Sequence, residues 1–222
     1  FVKDTLTKQP LDEIDKLLVT AVNSAMRESQ VQLLLELGHY ADVRKHYRTA
    51  MEAYKAASLH PSTERAGYEG LLKASYNLGS MKDYAAISHE TARRWPTNQY
   101  FTEQYLYACL LSGEAMETSA DRASRLLEAR PTDTQRKLLM ALASHRYGDR
   151  EACARHLQNS TFQDLTPGQR AVFCGLAQSA GFANEAAKLA ANIPDDTPML
   201  PEESKFFQLV KPAAEKTAEP AR

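Results

Sequence analysis

LLLELGHYADVRKHYRTAMEAYKAASLHP, residues Leu33 to Pro61, reads as two short amphipathic helices closed by a proline. Leu34, Leu37, Gly38 and Ala41 share one face of the first helix, and Ala50, Tyr54 and Ala57 share one face of the second. Steps of three, four and seven residues are those of a helix with one buried side. Small residues at these places have a physical use, because antiparallel helices approach closely only where a side chain is short. Pro61 lacks the amide that a continuing helix requires, so it marks a break.

Outward from this stretch the same punctuation recurs. Prolines fall at Pro61, Pro96, Pro131, Pro167 and Pro201, at spacings of 35, 35, 36 and 34. Glycines fall at Gly79, Gly113, Gly148 and Gly181, at spacings of 34, 35 and 33. Two punctuators with one period and one phase predict an all-α array of helix–turn–helix units. Glycine serves the turn inside each unit and proline the break after its second helix. In the fourth unit Met140, Ala141 and Ser144 precede Gly148, and Cys153 and Leu157 follow it.

These residues resemble the tetratricopeptide repeat family. Leu37-Gly38, Ala50, Tyr54, Ala57 and Pro61 match the family's positions in the first unit. YGDREACARHL (Tyr147 to Leu157) and AGFANEAAKLA (Ala180 to Ala190) match its Gly-turn-Ala stretch. The second unit keeps the length but has Tyr84 where a small alanine is usual, and the third, SGEAMETSADRASRLLEARP, has a longer inter-helix turn. The resemblance covers about residues 30 to 192. It implies an α-solenoid, a right-handed superhelix of about five repeats with terminal capping helices.

The expected organisation is an N-terminal helix within residues 1–29, a repeat array over 30–197, a C-terminal capping helix over 198–211 and a disordered tail over 212–222. The N-terminal helix starts at Pro10 and carries Leu11, Ile14, Leu17, Leu18, Val22 and Ala25 on one stripe; it is either a leading cap or the second helix of an upstream unit. In EESKFFQLV, Glu202 and Glu203 occupy a first turn, with Phe206, Phe207, Leu209 and Val210 behind. Such a helix suits the open apolar face that a last repeat leaves.

Composition narrows the function. The formal charge is −1, from 27 basic and 28 acidic side chains, so the basic excess that drives binding to nucleic acid is absent. No apolar run approaches the roughly 20 residues that cross a bilayer, so direct membrane insertion is not expected of this segment. The chain opens on Phe1, which reads as a module of a longer polypeptide. The expectation is a soluble domain, cytoplasmic, or periplasmic if a signal or anchor precedes it. Cys109, Cys153 and Cys174 lack CxxC spacing and sit in apolar helical stretches, as small buried hydrophobes do.

The six histidines form no HExxH, and no glycine-rich phosphate loop occurs. The sequence points to no catalytic set, metal or cofactor, and so to no enzyme. Trp95 in ARRWP is either an inter-repeat packing residue or an exposed recognition aromatic.

The resemblance further implies that first helices line a concave groove receiving a protein or peptide. Its register places Gln32, Glu36 and His39 there in the first unit, and Glu69, Lys73, Tyr76 and Asn77 in the second. Tyr100, Glu103, Gln104 and Tyr107 follow in the third, His145 and Arg146 in the fourth beside Leu138, Leu139 and Leu142, and Gln178 in the fifth. The lysine and asparagine clamp by which some members hold a chaperone's C-terminal carboxylate is missing: Leu35, His39, Gly70, Tyr100 and Gln104 stand at its places. A protein-interaction scaffold is the leading expectation. The alternative is a self-associating element, a homo-oligomer formed through the convex face or the open N-terminal end.

Overall fold

A computed structural model describes residues 13–158 and 160–210 of the chain. Leu11, the start at Pro10, and the tail expected to be disordered lie outside the described residues. The described chain is helical throughout, without a strand: α1 (Glu13–Arg27), α2 (Val31–Val43), α3 (Tyr47–Ala57), α4 (Glu64–Asn77), α5 (Met81–Arg94), α6 (Gln99–Ser112), α7 (Met116–Ala129), α8 (Thr134–Arg146), α9 (Arg150–Leu157), a 3₁₀ turn (Phe162–Asp164), α10 (Pro167–Ala180), α11 (Ala183–Ala190) and α12 (Pro201–Gln208). It divides into two compact units, each larger than one helix–turn–helix repeat, the first Phe1–Leu78 and the second Gly79–Arg222, and unit has this meaning from here on.

Within the first unit α1 to α4 pack each on the next, with α1 also reaching α3 and α2 reaching α4. Within the second, α5 to α11 follow the same serial scheme, with α6 reaching α8 and α8 reaching α10. Packing of neighbours and next-neighbours in series is the arrangement of a helical repeat.

The small residues seen in the sequence are the ones that bring helices together. Ala41, Ala50, Ala53, Ala57 and Ala74 are fully buried, and so are Ala123, Ala141, Ala171 and Ala186 in the second unit. Tyr54 of α3 is seated between two glycines. A β-carbon on Gly38 of α2 would lie 2.8 Å from its Cε1, and one on Gly70 of α4 would lie 2.5 Å from the same atom. Burial and the nearby Asp42 carboxylate push the Tyr54 hydroxyl up to about 12. Leu18, Val22 and Ala25 of α1 face inward, but Leu17 of the expected stripe is 68% exposed.

Gly79, Gly113, Gly148 and Gly181 all have positive φ, between +69° and +104°, and Gly113, Gly148 and Gly181 supply the left-handed turn between helices that pack together. The first unit has no glycine at this place and uses Lys45, at φ 62°, instead. The proline series is less uniform than expected. Pro61, Pro96 and Pro131 follow second helices, whereas Pro167 and Pro201 open α10 and α12. At Pro167 the reason is local: Thr166 and Gln169 form a reciprocal capping box that starts a helix there.

The three cysteines lie in α6, α9 and α10, and all are buried free thiols. Burial raises the thiol of Cys153 to about 11 and that of Cys174 to about 12. Trp95 is half-buried, its ring 5.2 Å from that of Phe101, which places it among the packing residues of the second unit.

Gly70→Ala tests the helix approach. Intrinsic helix preference alone would stabilise the variant by about 1 kcal/mol. Overpacking against a buried ring opposes that with ~1–3 kcal/mol. A lower urea midpoint is expected; a higher one would mean the Tyr54 ring moves aside freely.

Candidate functional site

The residues expected to line a groove fall into two groups with different fates. In the first unit α2 presents Gln32, Glu36 and His39 to solvent. On α4, Glu69 is half-exposed and takes an ion pair from Arg65 at 2.9 Å, one turn away on the same helix. Lys73, 58% exposed along its side chain, reaches across to Asp42 of α2 at 2.6 Å. Asn77 donates to the other oxygen of the same carboxylate at 2.9 Å. Tyr76 is half-buried beside them. Asp42 is itself only 5% exposed, and its paired partners are what make that burial tolerable. The structure therefore brings Lys73 and Asn77 together around an acidic residue that no sequence pattern singled out. A partner's carboxylate would meet Lys73 already engaged.

In the second unit most of the expected residues serve the protein's own packing. Tyr100 alone of its group is well exposed, at 49%, its ring 5.5 Å from that of Phe101. Glu103 accepts from Arg136 of α8 at 2.9 Å. That arginine is 1% exposed and also donates to the Leu126 carbonyl at 2.7 Å and to Gln99 at 3.1 Å, binding α6, α7 and α8 to one guanidinium. Gln104 accepts from the Tyr84 hydroxyl at 2.6 Å. Burial first, then the charges of Glu203 and Tyr100, hold that hydroxyl well above its ordinary range. Tyr84, where a small alanine was expected, sends its hydroxyl across to α6.

Arg146 donates to the carbonyls of Leu110 and Leu111, two of the orphan acceptors at the end of α6. Leu138, Leu139 and Leu142 are 3% exposed or less.

Tyr107 is 3% exposed, where a groove residue had been expected to meet solvent. Its hydroxyl donates to Glu203 of α12 at 2.7 Å. His145 of α8 stacks edge-on to Phe206 of α12, with centroids 5.6 Å apart. Gly175 of α10 receives the Phe206 backbone so closely that a β-carbon there would lie 2.5 Å from its carbonyl oxygen. Accordingly α12 packs on α10 and reaches α6. The helix expected after Pro201 is present as α12: it packs on α10 and touches α6 through Tyr107 and α8 through His145. Tyr107 is withdrawn from solvent at this contact. The sequence offered one hint, the apolar face of FFQLV, but no local pattern says which surface such a face will meet.

Among the described residues no helix is long and apolar enough to cross a membrane, and no three His, Cys, Asp or Glu side chains are grouped to hold a metal. No protein-family model matches the chain, and neither a curated protein nor a solved structure matches it.

Two outcomes test this arrangement. Arg136→Met strands the Glu103 carboxylate, itself 15% exposed along its side chain. Breaking a buried pair in this way destabilises by ~3–5 kcal/mol, whereas replacing both partners by apolar groups is often near neutral. Urea unfolding of the single variant and of Arg136→Met with Glu103→Leu should show the double change recovering most of the loss. Equal losses would mean the pair is not coupled.

For His145, burial first and then Arg146 and Arg150 hold the imidazole below 6.5. The unfolded chain then takes up this proton before the folded one as pH falls, so stability declines below pH 6.5 and levels once the folded histidine has also titrated. His145→Gln should flatten part of that decline in a series of thermal melts. Unchanged slopes would show that the proton uptake lies elsewhere.

Proposed function

We propose that this chain is a protein-interaction scaffold of tetratricopeptide-like helix pairs, whose first helices receive a peptide or protein partner. One observation supports it above the rest: the first-helix surface of the second unit already carries a short amphipathic helix, contributed by the chain itself. A surface that orders an eight-residue segment has the shape and apolar content of a helix-binding site. In the first unit His39 and Lys73 are exposed, with Glu69, Tyr76 and Asn77 half-exposed beside them in sequence or space, and Tyr100 is the exposed counterpart in the second. Aromatic and charged side chains of this kind anchor partners without large apolar area. A near-zero net charge favours proteins over polyanions as partners.

Self-association is the second reading. It is favoured by Leu17, Met26, Leu33, Tyr40 and Val43 of α1 and α2, exposed by 38% to 68%. Exposed apolar side chains gathered on neighbouring elements mark contact surfaces.

A photocrosslinking residue placed singly at His39, Glu69 or Tyr100 should form adducts in the cells of origin, while the outer positions Arg48, Glu52 and Lys55 of α3 should not. Adducts from the α3 positions alone would overturn the first-helix assignment. Adducts at twice the chain's own mass, raised from Leu17, Leu33 and Val43, would favour self-association instead.

A further inference from the structure

α12 is held as a ligand is held. Leu200, Glu203 and Val210 are fully withdrawn from solvent, and Phe206 and Phe207 are 7% and 8% exposed. The other side of the segment, Lys205, Gln208 and Leu209, faces outward. The contacts are selective as well as apolar. One oxygen of Glu203 accepts from Tyr107 of α6, while the other accepts from the Leu200 amide at 2.8 Å, so the same carboxylate caps the helix and docks it. Gly175 provides the space for the Phe206 backbone, and His145 the edge for its ring.

The hold is also incomplete. An eight-residue helix is not stable in water on its own, so even with its Glu203 cap α12 depends on its seat for order. It is tied to α11 by ten residues, 191–200, that form no regular element. Gln178 of α10 and Glu202 of α12 each bury an oxygen that has no hydrogen-bond partner. Segments of this kind open locally well before the unit that carries them.

We infer that the α6–α8–α10 surface is a receptor for a short helix of defined chemistry, with α12 as its resident occupant in cis. The partner helix carries a glutamate in its first turn, two adjacent aromatics three and four residues later, and a β-branched residue beyond. It displaces α12 when it binds. The inference rests on the interaction reading above and names the peptide class that the second unit takes. A tethered occupant competes at an effective concentration on the order of millimolar, so an untethered peptide meets a raised threshold on the unaltered chain.

The probe is a fluorescein-labelled peptide of residues 198–210, PMLPEESKFFQLV, titrated by anisotropy into three full-length chains. The unaltered chain should bind it at least tenfold more weakly than the chain carrying Phe206→Ala and Phe207→Ala, whose own segment is loosened. Adding Gly175→Leu to that variant fills the seat and should abolish binding. An unlabelled peptide with Glu203→Lys should fail to compete where the parent peptide competes. Equal affinity for the unaltered and loosened chains, or binding that survives Gly175→Leu, overturns the inference.

Should the loosened chain fold poorly, hydrogen exchange on the unaltered chain answers the same question. Excess unlabelled peptide should speed exchange at the amides of residues 203–210 and leave those of α8 protected; no change at those amides overturns the inference. The crosslinking at His39 and Glu69 addresses the first unit by itself. Failure of the peptide titration with those crosslinks intact refutes only the inference, and the reverse refutes only the first-unit surface.

Discussion

Helices stack in series only as closely as their smallest facing side chains allow, and that limit sets most of what this chain can do. Tyr54 between Gly38 and Gly70 is its clearest expression: one large ring on a second helix, received by two first helices that present no side chain to it. The alanines at Ala50, Ala53, Ala57 and Ala74 extend the same rule along the first unit. In the second unit the rule is reused for another purpose, since Gly175 admits the backbone of a helix that is not one of the repeated pairs. Interiors of this density tolerate little change in volume, so the small residues act as the spacing elements of the array.

Where a turn needs a glycine, the glycine sits at a near-constant chain distance, and the sequence displays it. Gly79, Gly113, Gly148 and Gly181 could be read as turns without coordinates because positive φ is a local requirement. The prolines were harder. Pro at the first position of a helix and Pro just beyond its end look alike along a chain, and only the Thr166–Gln169 box distinguishes Pro167 from Pro131. Lys45 shows the limit of reading punctuation, since a non-glycine residue adopts the left-handed turn in the first unit.

The helices that carry the candidate residues were legible, and the contacts that those residues make within the chain were not. His39 and Lys73 are exposed on α2 and α4, and Glu69 is half-exposed. Glu103, Gln104, Tyr107 and Arg146 are also on the helices expected, yet each is committed to a protein partner tens of residues away in the chain. Spacing tells which residues share a face but carries no information about a distant segment that later covers it. Arg136 and Asp42 were invisible for the same reason: a buried charge is recognised by the partners that fold around it, and those lie on other helices.

All three cysteines belong to the second unit, in α6, α9 and α10, and the first unit has none. A thiol reacts as its thiolate, and burial disfavours that form while also barring the reagent. At Cys153 and Cys174, 1% and 0% exposed, both effects hold, so modification of either thiol records an opening of the second unit alone. Unit two thus contains its own stopwatch, with no engineered probe and no signal from its neighbour to subtract.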